Sequence, residues 1–206
     1  MSKRTKSSRK WLKEHFNDPY VQKAKLAGYR SRAAFKLIEI LNKDKLVKPN
    51  DIVVDLGAAP GGWSQILAKN VGKNGKVFAL DRLKFESIAG VEIIVADFTE
   101  DLGLSLLQSK LKGETVNAIF SDMAPNTSGI SVSDQANMMY LAELALDFAL
   151  SHLDKKGTFT VKIFQGEGFD AYYKNMQAHF KKVVSRKPLA SRTRSKEIYL
   201  IGKEFK

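Results

Sequence analysis

Between Asp51 and Ile201 the chain alternates apolar runs of strand length with segments of helix length, and that alternation leaves few folds open. Strands are predicted at 51–56, 76–80, 91–95, 116–121, 158–163, 183–186 and 197–201, and helices at 62–70, 101–112, 134–153 and 169–180. An earlier, mostly apolar helix runs from Ser31, the expected cap, and ends before Lys48-Pro49. Strands separated by helices imply an α/β, Rossmann-like fold: a mainly parallel seven-stranded sheet with helices on both faces and ligands at the strand carboxyl ends. The last two strands have only the basic loop 187–196 between them, so they are expected to form an antiparallel pair at one edge.

The length of 206 residues suits one domain, expected over 18–206 behind a basic, mobile tail at 1–17 that is unpatterned apart from Trp11, Leu12 and Phe16. No apolar run approaches the roughly 20 residues of a membrane helix, and no apolar stretch follows the basic start as a secretory signal requires. There is no cysteine, hence no disulfide and no thiolate site. A soluble, cytoplasmic monomer is the expectation.

The net charge of +12 is unevenly distributed: residues 1–50 hold 14 Lys/Arg against 4 Asp/Glu, 51–154 hold 7 against 14, and 155–206 hold 13 against 4. Basic flanks around an acidic centre suggest a polyanionic partner gripped by the flanks, although a merely solvated surface would look similar. The motifs have to decide.

The run Val53-Val54-Asp55-Leu56-Gly57-Ala58-Ala59-Pro60-Gly61-Gly62-Trp63-Ser64 closes a strand and opens a helix, and its glycines allow a tight turn that can cradle a nucleoside-containing ligand. A P-loop is unlike it, because Trp63 stands where the phosphate-binding lysine belongs, and the dinucleotide pattern G-x-G-x-x-G is missing. Asp81, Asp97 and Asp122 end the next three of the first four strands, Asp81 falling 26 residues after Asp55, about where such folds hold ribose hydroxyls. Any one of these acids reads as a helix cap or turn residue; four in succession make a negative cleft suited to a ligand with hydroxyls and positive charge. S-adenosylmethionine has that character.

Lys162 interrupts an otherwise apolar strand between Phe159, Val161, Ile163 and Phe164. Enclosure disfavours its cation, so a lowered pKa and a role as a base are expected; a lysine snorkelling from an outer strand is the plainer alternative. Glu197 and Lys36 pass for ordinary exposed charges, and periodicity does not bring them to Lys162. His15, His152 and His179 lack ligand spacing, so no metal site is expected.

These motifs resemble the FtsJ-like ribosomal RNA 2'-O-ribose methyltransferases, the heat-shock large-subunit enzymes of bacteria. The resemblance rests on Asp18-Pro19-Tyr20-Val21, Tyr29 to Leu37, Asp55 to Gln65, Ser121-Asp122-Met123-Ala124-Pro125-Asn126, Val161 to Phe169 and Ser191 to Tyr199. It implies a class I S-adenosylmethionine-dependent methyltransferase fold and a Lys36, Asp122, Lys162, Glu197 tetrad. It also implies cofactor contacts at Gly61, Trp63, Asp81, Asp97 and Asp122. The implied reaction is methyl transfer from S-adenosylmethionine to a ribose 2'-hydroxyl, at a uridine, in ribosomal RNA of the large subunit, with Lys162 as general base. Arg30, Arg32, Arg186, Lys187, Arg192, Arg194 and the tail would hold RNA phosphates, and Tyr20 or Tyr29 could stack on a base or belong to the core. Two alternatives fit the basic flanks: a non-catalytic RNA-binding or ribosome-assembly factor, and the same chemistry on transfer RNA or an mRNA cap.

Overall fold

A computed structural model describes residues 18–126, 128–192 and 195–206. The expected tail at 1–17 and Arg194 lie outside the described residues.

Helices α1 (Pro19–Leu26) and α2 (Ala33–Asp44) precede the alternation β1 (Ile52–Leu56), α3 (Gly62–Val71), β2 (Lys76–Asp81), β3 (Val91–Val95), α4 (Asp101–Leu111), β4 (Val116–Ser121), α5 (Ser131–His152), β5 (Leu153–Phe164), α6 (Phe169–His179), β6 (Phe180–Arg186) and β7 (Glu197–Phe205). The strands form one seven-stranded sheet in the order β3-β2-β1-β4-β5-β7-β6. All neighbours are parallel except β7, which runs antiparallel to both β5 and β6. The antiparallel pair is therefore present, and its second strand inserts between β5 and the outermost strand β6.

Side chains alternate between two cores, one on each face of the sheet. Val54, Leu56, Phe78, Ile119, Phe159, Val161 and Ile163 pack toward α4, α5 and α6, whereas Val53, Val77, Ala118, Phe120 and Tyr199 pack with Leu37 and Ile40 of α2 and Trp63, Ile66 and Leu67 of α3. The face under α2 and α3 is the one that matters for chemistry.

Local starts and stops differ from the expectation in three places. Ser31 does not cap α2: Arg32 holds the N-cap position with helical dihedral angles and no side-chain cap bond. Ser31 is instead packed so tightly on α3 that a Cβ at Gly62 would lie 2.4 Å from its Oγ. The helix expected from 134 begins at Ser131, with Asp134 accepting from the backbone N–H groups of Ser128 (2.7 Å) and Gly129 (3.2 Å). β5 begins at Leu153, but its register against β4 slips between Val116 and Ala118, where exposed Asp154, Lys155 and Lys156 loop out, and regular pairing resumes at Thr158. No helix among the described residues is long and apolar enough to cross a membrane.

Candidate active site

Strand parity places the chemistry. Phe120 faces α2 and α3, so two residues further Asp122 leaves β4 on that same side. Lys162 alternates with Val161 and Ile163, which face the other core, and antiparallel pairing sets it directly opposite Tyr199. Glu197, two residues before Tyr199, shares its face, and α2 packs over this face with Lys36 on it. Four elements thus deliver five polar side chains to one spot.

The contacts are specific. Lys162 Nζ, on a side chain only 5% exposed, donates to Asp122 Oδ1 at 3.0 Å and to the Asp122 carbonyl. The Tyr199 hydroxyl donates to the same Oδ1 at 2.8 Å. Lys36 Nζ donates to Glu197 Oε2 and to the Tyr199 hydroxyl oxygen, each at 3.3 Å. The tetrad named from resemblance, Lys36, Asp122, Lys162 and Glu197, is therefore one connected network, and Tyr199, which sequence reasoning passed over, is the link between its two halves. A readable signal existed: a tyrosine two residues from Glu197 in a buried strand shares its face and needs a partner for its hydroxyl.

Electrostatics make Asp122 the fixed anion of the group. Burial pushes its carboxyl up, but the Lys162 and Lys36 cations, with hydrogen bonds from Tyr199 and Lys162, outweigh that and hold it below its ordinary value. Burial, the Asp122 charge and the bond to Asp122 push the Tyr199 phenol well above its ordinary value, so it remains a donor.

Asp122 also lines a cavity of about 500 Å³ at the carboxyl ends of β1, β2 and β4. Asp81 and Asp97 line it too, with Gly57, Ala59, Leu83, Phe98, Met123 and Tyr140 among its other walls. The acids are fixed by nearby donors: backbone N–H of Ala59 and Leu83 to Asp81 at 2.9 and 2.8 Å, and the Thr99 N–H and side-chain hydroxyl to Asp97 at 2.9 and 2.7 Å. The two Thr99 bonds hold the Asp97 carboxyl below its ordinary value. A cavity of ligand size with three carboxylates and apolar walls fits a nucleoside bearing hydroxyls and positive charge, as S-adenosylmethionine does.

Gly61 and Trp63 are not among the walls of this cavity. Trp63 is buried, its Nε1 donating to the Ala33 carbonyl at 2.8 Å and its ring set edge-on to Phe120, so it joins α3 to the start of α2. The glycines are demanded by protein packing: at φ +76° Gly57 meets Met123, and at φ +99° Gly61 faces Ile88, Phe85 and Arg30, all nearer than a Cβ tolerates or nearly so. Beneath them lies Asp55, fully buried, with Oδ2 accepting from Ser64 Oγ at 2.6 Å and Oδ1 without a partner. Burial raises its carboxyl to about 7; the Ser64 bond opposes the rise, and the Asp122 and Asp81 charges reinforce it.

The arginines expected on phosphates are largely engaged inside the protein. Arg30 donates to backbone carbonyls at 60, 86 and 87, Arg32 pairs with Asp18 and donates to the Ala190 carbonyl, and Arg186 forms a fork on Asp44 with both bonds at 2.8 Å. Lys187 donates to the Ser195 carbonyl at 3.0 Å, and Arg192 is half-buried. Tyr20 and Tyr29 pack against Phe35, with ring centroids 5.7 and 5.6 Å from it.

Comparison with known proteins agrees with this geometry. The model of a family described as FtsJ-like methyltransferase matches residues 29–205. A Marinobacter nauticus protein named ribosomal RNA large subunit methyltransferase E is 55% identical over 203 residues, covering 98% of each chain. A Stenotrophomonas maltophilia protein of the same name is 54% identical, covering 98% of this chain and 96% of its own. Among solved structures, a Plasmodium falciparum protein named as a ribosomal RNA methyltransferase superposes with a TM-score of 0.76 at 30% identity, covering 86% of this chain and 98% of that one. A Clostridium thermocellum structure at 21% identity and a TM-score of 0.58, covering 83% of this chain and 97% of that one, shares the fold.

Proposed function

This chain belongs to the FtsJ-like methyltransferase family, and on that premise we propose that it moves a methyl group from S-adenosylmethionine to the 2'-hydroxyl of a uridine ribose in large-subunit ribosomal RNA. The observation that carries the reading is the double membership of Asp122, which walls the acidic cavity and also holds the buried Lys162. A donor molecule in the cavity and a proton acceptor beside it then meet at one residue.

When bound, S-adenosylmethionine supplies a methyl carbon on a positively charged sulfur. Asp81 and Asp97 would hold its hydroxyl-bearing portion, with Asp122 adding negative charge along the same wall. With it bound, Lys162, once its resting ammonium has released a proton to solvent, would take the proton of the ribose 2'-hydroxyl as that oxygen bonds to the methyl carbon, whose bond to sulfur would give way to leave a neutral thioether. Asp122 orients Nζ from two sides, through its carboxylate and its carbonyl, and accepts the ammonium that results. Tyr199 fixes Asp122, and Glu197 fixes Lys36 across the tetrad. The base contributes about 10²- to 10⁴-fold, and alignment of oxygen, carbon and sulfur supplies much of the remainder. A ribosomal substrate would place the protein in the cytoplasm.

The test uses methyl-tritiated S-adenosylmethionine with, separately, free ribosomal RNA, undermodified large subunits and transfer RNA, followed by alkaline hydrolysis. A 2'-O-methyl group blocks cleavage at its own nucleotide. Label in an alkali-resistant dinucleotide from the large subunit is the expected result; label in alkali-sensitive nucleotides, or in transfer RNA alone, overturns the reading.

A further inference from the structure

Arg30 lies in the connection between α1 and α2, and its guanidinium reaches two loops at once. Nη1 donates to the carbonyls of Glu86 at 2.6 Å and Pro60 at 3.3 Å, and Nη2 donates to the carbonyl of Ser87 at 2.7 Å. Pro60 belongs to the glycine-rich turn, whose Gly57 and Ala59 wall the cavity. Glu86 and Ser87 belong to the segment 82–90 between β2 and β3, which contains no helix or strand and whose Arg82 and Leu83 wall the same cavity.

The rest of this segment is held on the turn from the same side. Gly61 would place a Cβ 2.6 Å from Ile88 Cδ1, 3.1 Å from Phe85 Cε2 and 3.2 Å from Arg30 Nη1, so three side chains converge on one glycine. Arg30 itself is anchored from behind: its backbone N–H donates to Gln65 Oε1 at 2.9 Å, and Gln65 Nε2 donates to the Gly28 carbonyl at 3.1 Å. A planar fork with five N–H groups can bridge carbonyls on two segments; an ammonium on a flexible stem presents a point charge and no such plane.

We propose that Arg30 is a positioning residue for the cofactor, a clasp that fixes the 82–90 segment against the glycine-rich turn and so sets the wall of the cavity, and not a phosphate ligand for RNA. The inference rests on the cavity holding S-adenosylmethionine, as argued above. Without the clasp, ordering of 82–90 has to accompany ligand binding, which lowers affinity. Loss of two or three hydrogen bonds corresponds to about a tenfold effect.

Calorimetric titration of the full chain with S-adenosylhomocysteine, amide hydrogen exchange of the ligand-free protein, and the salt dependence of binding to a large-subunit ribosomal RNA transcript test this for Arg30→Met and Arg30→Lys. A clasp predicts about tenfold weaker binding in both variants, faster exchange at 82–90, and a plot of log affinity against log salt as steep as in the unsubstituted protein. Unchanged affinity and exchange, full rescue by lysine, or a salt slope reduced by about one with cofactor affinity intact would overturn it. Should Arg30→Met not fold, Arg30→Lys decides alone by affinity and exchange. Failure of the unsubstituted protein to bind S-adenosylhomocysteine would instead remove the functional reading beneath the proposal, and exchange at 82–90 distinguishes the two failures because it needs no ligand.

Discussion

At the scale of single residues, Asp55 of β1 and Lys162 of β5, on strands separated by β4, are buried ionisable groups in unlike surroundings: Lys162 faces a carboxylate and a phenol, whereas Asp55 has an oxygen with no partner. Lys162→Arg retains positive charge and cannot accept a proton at neutral pH. It is expected to reduce methyl transfer by at least about 10²-fold while S-adenosylhomocysteine binding, measured by calorimetry, stays within a factor of two or so; substantial retained turnover would leave Lys162 a purely orienting role. Asp55 makes a prediction about pH. Its carboxyl is raised to about 7 in the folded protein, so from about pH 4 upward the unfolded chain releases a proton that the folded chain keeps. Folding is therefore opposed increasingly as pH rises from about 4 to about 7, by about 4 kcal/mol in all, and by a constant amount above that. Urea unfolding of the ligand-free protein between pH 5 and 8 should show Asp55→Asn gaining on the parent as pH rises; parallel curves would mean that Asp55 ionises normally. Both residues were legible as strand-end or strand-interior charges. Tyr199 was legible only as a buried phenol on the face of Glu197; its link to Asp122 follows from the Lys162–Tyr199 register, which no periodicity within one strand contains.

At the scale of elements, the alternation of runs specified the sheet and its helices well, since each strand is a short apolar run bounded by turn residues. Its failures are local and physical. Ser31 looks like a cap, but its hydroxyl is packed against α3, and the α2 start is held by Trp63 Nε1 on the Ala33 carbonyl. The place of β7 inside β6 depends on pairing with β5, a non-local contact. The other end of α2 is fixed by Asp44, whose side chain is 1% exposed and receives Arg186 of β6 and Lys203 of β7 at 2.7–2.8 Å. Burial opposes the Asp44 charge, yet the bonds from Arg186 and Lys203 hold its carboxyl below its ordinary value. This cluster ties the helix bearing Lys36 to the two strands that complete the sheet. Asp44→Asn leaves two cations facing a neutral amide and is expected to lower unfolding stability by about 2–3 kcal/mol at pH 7, discounted from a fully buried pair because both cations are partly exposed. The stabilisation is present above the unfolded carboxyl's pKa near 4 and is lost as pH falls through the lower folded value, so the gap between parent and variant in urea melts should narrow steadily as pH falls below about 4. A gap that stays constant as pH falls would assign the loss to packing and not to charge.

At the scale of the whole molecule, the acidic centre of the sequence becomes a cavity at the strand carboxyl ends, whereas the basic flanks divide into two populations. Arg30, Arg32 and Arg186 are internal fasteners, and charge counting could not have separated them from surface charges because an arginine on a carbonyl and one in water look alike in a sequence. Lys23 and Lys25 of α1 and Lys196, one residue before Glu197, are among the exposed cations of the described flanks, and such groups are available to a polyanion. A single-stranded RNA held by such groups loses affinity with a log–log salt slope of about −0.7 per phosphate contact. The double variant Lys25→Ala, Lys196→Ala should therefore bind a large-subunit ribosomal RNA transcript with a slope shallower by about one to two. Its affinity for S-adenosylhomocysteine should be unchanged, since neither lysine lines the cavity. An unaltered slope would shift the grip on RNA to other basic groups, and a flat slope in the unsubstituted protein would mean that RNA is held by shape and stacking, with the +12 charge serving solubility alone.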